Sequence, residues 1–89
     1  MAWSADRAAV ARIGMNLAAA RESSGMARLE LAEATGYHRT YIADIEKGRR
    51  NPSVVVIIRL ALHLGVSPGA LLEGTAELID PIRPDRTTK

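Results

Sequence analysis

Gly36 and Gly48 constrain this chain more than any other pair of residues, because each closes a short run of helical periodicity. Glycine sits easily in the left-handed conformation found just past a helix end. The run before Gly36, about Ala27 to Ala34, points Leu29 and Ala32 inward, with Leu31 beside them, and Thr35-Gly36 closes it. The run before Gly48, about Arg39 to Lys47, carries Ile42 and Ile45 as its apolar positions. Ala32 is small enough to let the second run approach the first closely, and Gly36 makes the sharp turn between them. Ile42 and Ile45 pin the second run to a core. Its remaining face, Arg39, Thr40, Ala43, Asp44 and Lys47, is left to solvent.

The rest of the chain is also helical, with no strand signal and no internal repeat. Val10, Ile13 and Leu17, followed by Ala18 and Arg21, predict a first helix over about 5–23. Ser4 or Asp6 can cap its start, Trp3 can fold back on its first turn, and Ser23-Ser24-Gly25 ends it. After Arg49-Arg50-Asn51-Pro52, Ser53 caps a fourth helix, Val54 to Leu64, closed by Gly65. Ser67-Pro68 opens a short fifth helix ending near Glu73, with proline at the first helical position. Beyond Gly74, Pro81, Pro84 and alternating charges read as a tail whose apolar anchors are Leu78, Ile79 and Ile82. The expected organisation is one all-α domain over residues 1–73 and a tail over 74–89, flexible in part or packed on a dimer.

Composition narrows the function. A chain of 89 residues fits one domain, and a domain this small buries only about 60–65% of the surface of its unfolded chain. There is no cysteine, so neither a disulfide nor a thiolate metal site is available. His38 and His63 are isolated, so no metal is expected, and no cofactor. No nucleophile–base pair and no phosphate-cradling glycine loop suggests an enzyme. No run of about 18 apolar residues predicts a membrane span. The start of the chain lacks the basic region and apolar core of a signal peptide. The expectation is a cytoplasmic protein, nucleoid-associated when bound to DNA, with no small-molecule ligand. Net charge is only +2, so its distribution carries more information. Between His38 and Arg50, four cations, Arg39, Lys47, Arg49 and Arg50, stand against Asp44 and Glu46.

Two short helices joined by a tight glycine turn form a helix-turn-helix pattern. Residues 13 to 73 resemble the phage-repressor and Cro type, also called the xenobiotic-response-element type. The resemblance is carried by Ile13-Gly14, Leu17 and Arg21, by Gly25 through Gly36, by Tyr41 through Ser53, and by Leu60-Ala61, Leu64 through Ser67 and Leu71-Leu72. It implies a compact five-helix, lambda-repressor-like domain whose third helix enters the major groove of double-stranded DNA. By that resemblance Arg39, Thr40 and Asp44 correspond to base readers. Arg28, Lys47, Arg49 and Arg50 match phosphate contacts, and His38 and Tyr41 join them as candidates. Arg21 and Glu46 match a buried ion pair. Ala27 stands where the family usually has a Ser/Thr cap, a loss of about 1 kcal/mol unless compensated. His38 occupies the cap position of the third helix.

The chemistry of these residues agrees with the assigned roles. Arginine can bond guanine O6 and N7 together, for about 1–3 kcal/mol of discrimination. Asp44 can accept from cytosine N4, and Thr40 can touch a thymine methyl. The fourth helix is apolar nearly all round, whereas a surface helix needs one stripe. Val54, Ile57, Ile58, Ala61 and Leu64 suffice for the core, which leaves Val55, Val56 and Leu62 over. Either the tail covers them or they form a twofold dimer interface. A homodimer would place two reading helices about 34 Å apart on a palindromic operator. The expected function is therefore a homodimeric transcriptional regulator, acting as a repressor. The competing expectation is a protein-interaction module, such as an antitoxin, that binds a partner through the fourth helix and tail.

Overall fold

The short helices end where glycine permits a reversal. In the computed structural model, which describes residues 2–79 with side chains from Asp6 onward, Gly36 has φ 83° and Gly48 has φ 75°. Five helices result: α1 (Ala2–Ser23), α2 (Arg28–Thr35), α3 (Arg39–Glu46), α4 (Val54–Leu64) and α5 (Pro68–Leu71). A 3-10 turn, Ala76–Leu78, follows. No single helix among the described residues is long and apolar enough to cross a membrane.

Leu17, Leu31, Ile42, Ile45, Leu60 and Leu71 are fully buried, so α1 to α5 all contribute to one core. Ala32, also buried, lies where α2 meets α3. The crossing of α1 and α3 is closer still. A Cβ at Gly14 would run into the backbone carbonyls of Ile45 and Glu46, the latter oxygen 2.8 Å away. Gly14 therefore sets how near α3 can sit to α1.

Four helix starts show how capping replaces length. Ser53 Oγ accepts from the Val56 N–H at 3.2 Å, and Ser67 Oγ accepts from Ala70 N–H at 3.2 Å. Ala27 has no side-chain acceptor to offer, but Glu30 Oε1 accepts from the Ala27 N–H at 2.8 Å, which recovers one half of a capping box. His38 makes no side-chain cap bond. At the other end of the chain, Asn16 Nδ2 donates to the carbonyls of Leu71 (3.0 Å) and Glu73 (2.8 Å), and Arg12 Nε donates to Glu73 O at 3.3 Å. The orphan carbonyls after α5 are thus met from α1.

Several boundaries and faces differ from expectation. The α1 helix begins at Ala2, so Ser4 and Asp6 lie inside it and neither caps it; the side chain of Trp3 lies outside the described residues. In α2 the inward residues are Leu31 and Ala32, while Leu29 is 48% exposed. Of the three expected inward residues only Leu29 is displaced, because at 100° per residue it lies about 160° from Leu31 around the helix. In α4 the buried set is Ile57, Leu60, Ala61 and Leu64. Val54 and Ile58 are exposed instead. The fifth helix stops at Leu71 rather than near Glu73. The 3-10 turn packs against α1, with Leu78 and Ile79 still partly open; Ile82 lies outside the described residues.

Gly14→Ala tests the α1–α3 contact. Alanine is favoured over glycine inside a helix by about 1 kcal/mol, yet overpacking against a backbone that cannot yield costs about 1–3 kcal/mol. The expected outcome is a lower urea midpoint than the wild-type protein. An unchanged or raised midpoint would show that α3 can move away without loss.

Candidate nucleic-acid interface

Glu46, in the last turn of α3, is the most buried acid of the described residues. Arg21 Nε donates to its Oε2 at 2.6 Å, and Arg21 Nη2 donates to Oε1 at 3.2 Å. Arg28 Nε donates to the same Oε1 at 2.8 Å. Arg21 Nη1 reaches the Met26 carbonyl at 2.8 Å. One carboxylate thus ties α1, the α1–α2 turn, the start of α2 and the end of α3. Burial alone would push the Glu46 carboxyl up. The hydrogen bonds from Arg21 and Arg28, with their charges, outweigh it and hold the group below the usual carboxylate range. The same bond from Glu46 raises Arg21 above its already high value, against the opposing effect of burial.

In front of this tether lies an open groove of about 610 Å³. Arg28 and Leu29 line it from α2, Arg39, Thr40, Ala43 and Asp44 from α3, and Lys47 and Arg49 from the segment that follows. Among the described residues no side chain pairs with Arg39, Lys47 or Arg49. The α3 helix is scaffold on one face, through Ile42 and Ile45, and polar on the other. The three expected base readers and three of the expected phosphate contacts, Arg28, Lys47 and Arg49, therefore line one groove, whereas Arg50 lies outside it. His38 borders a shallower hollow beside it, with Tyr37 and Arg39.

Three arrangements went unread in the sequence. Arg28 was matched to a phosphate contact, yet its Nε is engaged by Glu46, with the side chain still 46% exposed. Tyr41, also a phosphate candidate, carries the Arg50 guanidinium over its ring, 5.2 Å from the centroid. Tyr37 meets Tyr41 edge-on, with ring centroids 5.4 Å apart, and its hydroxyl accepts from Arg59 Nη1 at 2.9 Å. A row therefore runs from Arg59 on α4 through two rings to Arg50. These four residues are spread over positions 37 to 59, so only the fold brings them into a row.

The apolar surplus of α4 also needs correction. Val56 packs against the core. The open set is Val54 (71% exposed), Val55 (56%), Ile58 (40%) and Leu62 (72%). At 100° per residue these four fall within an arc of about 100°, a continuous aliphatic face turned away from the core stripe.

Comparison with known proteins now bears on this geometry. Residues 17–71 match the family described as helix-turn-helix. The chain belongs to the helix-turn-helix family of transcriptional regulators. It is 37% identical over 65 residues to an uncharacterized HTH-type transcriptional regulator, y4dJ, of Sinorhizobium fredii, covering 73% of this chain and 84% of that one. It is 46% identical over 52 residues to the control protein C.BamHI of Bacillus amyloliquefaciens, covering 58% and 64% of the two chains. Among solved structures, the restriction-modification controller protein C.AhdI of Aeromonas hydrophila superposes with a TM-score of 0.69 at 34% identity, over 72% of this chain and 97% of that chain. These neighbours support the all-α, lambda-repressor-like fold and the Cro-type resemblance.

Acid titration tests the tether. Because the folded-state value of Glu46 is depressed, the unfolded chain takes up this proton first as pH falls. The stability it confers is complete above the ordinary carboxyl value of about 4.3 and is lost as pH drops through the lower folded value. Thermal midpoints are expected to fall below about pH 4. Glu46→Gln should start lower at pH 7 and lose less on acidification. Breaking the pair with Glu46→Ala leaves two arginines facing each other and should cost about 3–5 kcal/mol. An Ala variant as stable as wild type would show that the tether is dispensable.

Proposed function

We propose that this protein is a homodimeric, sequence-specific repressor that lays α3 in the DNA major groove. The observation that carries the reading is the groove flanked by Arg39, Thr40, Asp44 and Lys47, with cations at its edges and no internal partner for its outer arginines among the described residues. A major groove about 12 Å wide admits one helix, and α3 presents only one polar face to fill it. Arg39 reads guanine, Thr40 a thymine methyl, and Asp44 accepts from cytosine. Lys47, Arg49 and Arg28 hold phosphates on either side, and Arg50, over the Tyr41 ring, holds another. Its relatives, an HTH-type transcriptional regulator and a control protein, agree with a regulatory role.

Dimerisation rests on the open face of α4. Val54, Val55, Ile58 and Leu62 lie together, and leaving such side chains in water forgoes roughly 1.5–3 kcal/mol each relative to full burial. The second copy is the natural occupant because α3 alone offers too few contacts for a specific site. A palindrome with half-sites one helical turn apart follows from the twofold axis. In a second reading the same α4 face holds a protein partner, as in an antitoxin. The solved complex between SinR and SinI proteins, to whose chain this fold is similar at TM-score 0.66 and 31% identity, makes that reading concrete.

Selection of bound sites from random duplex DNA should return a palindrome. Arg39→Ala is expected to relax preference at one base position in each half-site. Lys47→Ala should weaken all sequences alike. If a dimer neutralises about 6–10 phosphates, affinity should fall by about three to five decades between 50 and 200 mM salt. A flat salt profile would overturn groove binding. Leu62→Asp should convert the dimer to monomer by light scattering, and a wild-type protein that is monomeric at micromolar concentration, binding DNA without cooperativity, would remove the dimer. Substituting Arg39 and Lys47 together separates the two readings: DNA binding goes, and a protein partner on α4 stays.

A further inference from the structure

The α1 helix begins at Ala2, whereas the family match begins at residue 17. About four turns of helix thus precede the matched region. They do not stand clear of the domain. The segment after α3 lies against them: a Cβ at Gly48 would come within 3.1 Å of Ala11 Cα. Arg7 is one turn before Ala11, on the same face of α1. It meets the basic loop there, across an open cleft of about 560 Å³ whose rim holds Lys47, Arg49, Arg50 and Asn51.

The charge in this cleft is lopsided. Arg7, Lys47, Arg49 and Arg50 surround it, and Asp6 is the one carboxylate that lines it. Among the described residues no acid comes within ion-pair distance of Arg7. Four cations gathered around one acid leave an excess of positive charge that fits a phosphate. Lys47 and Arg49 line both this cleft and the groove in front of α3, so the two hollows are one surface bent around the end of α3. A strand whose phosphates pass Lys47 and Arg49 continues into the cleft.

Building on the groove-binding reading above, we infer that Arg7 and the loop from Lys47 to Asn51 form a second phosphate seat, which grips the DNA backbone beyond the bases that α3 reads. The extended α1 is then part of the interface rather than an appendage. Arg7 contributes affinity and register, not base preference, because a phosphate contact carries no sequence information. Asp6 tempers the seat by repelling the same phosphate.

The test compares Arg7→Gln, Asp6→Asn and Lys47→Gln in the full chain. Each is measured on the selected operator by salt-dependent binding and hydroxyl-radical footprinting. Arg7→Gln should lower the salt slope by about 0.9 per subunit. It should remove backbone protection at the outer edge of each half-site and leave the preferred sequence and oligomeric state unchanged. Asp6→Asn should tighten binding to all sequences alike. If Arg7→Gln matches wild type in slope and footprint while Lys47→Gln loses affinity, the second seat is overturned and groove binding stands. If neither changes the slope, both fall together. Phosphorus NMR with inorganic phosphate at constant ionic strength separates the two sources of the ligand. An Arg7-dependent phosphate site in a protein whose DNA slope ignores Arg7 would make the cleft a free-anion site and overturn the proposal.

Discussion

Glu46 faces Arg21 with one oxygen and shares the other between Arg21 and Arg28, so three helices converge on a single carboxylate. The arrangement matters because α3 has only eight residues, too few to hold a helical shape in water by itself. Its geometry is imposed by neighbours. Ile42 and Ile45 fix how deep it sits, Gly14 fixes how close it comes to α1, and Glu46 fixes its far end. The polar face is set by what the other face is fastened to. Because Arg28 both touches Glu46 and reaches the groove, the inside tether and the outside surface are mechanically one unit.

Much of this was legible before any coordinates. The α4 boundaries and the serine caps at Ser53 and Ser67 follow from turn chemistry, and the Arg21–Glu46 contact from the family resemblance. What escaped has physical reasons. Leu29 and Leu31 are chemically alike, so only tertiary contact shows which one is inside. The α4 helix is apolar nearly all round, and a helix without a polar face gives no phase. Its core stripe was therefore placed too near Val54, and Val56 was left outside when it packs, half-buried, against the core. The first turn of α1 carries no acid, and Ser4 and Asp6, the capping residues its sequence offers, lie inside the helix. Arg28 on Glu46, and Arg50 on Tyr41, join residues whose proximity is made by the fold alone.

The domain separates two kinds of surface on different faces of short helices. On α3 the division runs between Ile42 and Ile45 on one side and charged groups on the other. On α4 it runs between a buried stripe and an aliphatic one. Tyr37 and Tyr41 span the space between these helices, with Arg59 bonded at one end and Arg50 stacked at the other. Rigid rings at that position let the α4 side and the basic loop share a common support, so anything that seats α4 firmly also steadies the cations beside the groove.

The bonds from Asn16 and Arg12 to the carbonyls after α5 join residues 55 to 61 positions apart. During synthesis the first helix is complete long before its partners at Leu71 and Glu73 exist. The domain therefore closes last at the seam between its beginning and its end. A chain cut short before α5 lacks the buried Leu71 and leaves α1 open along that seam. Prematurely terminated copies would carry α3 without the seam that closes the domain around it.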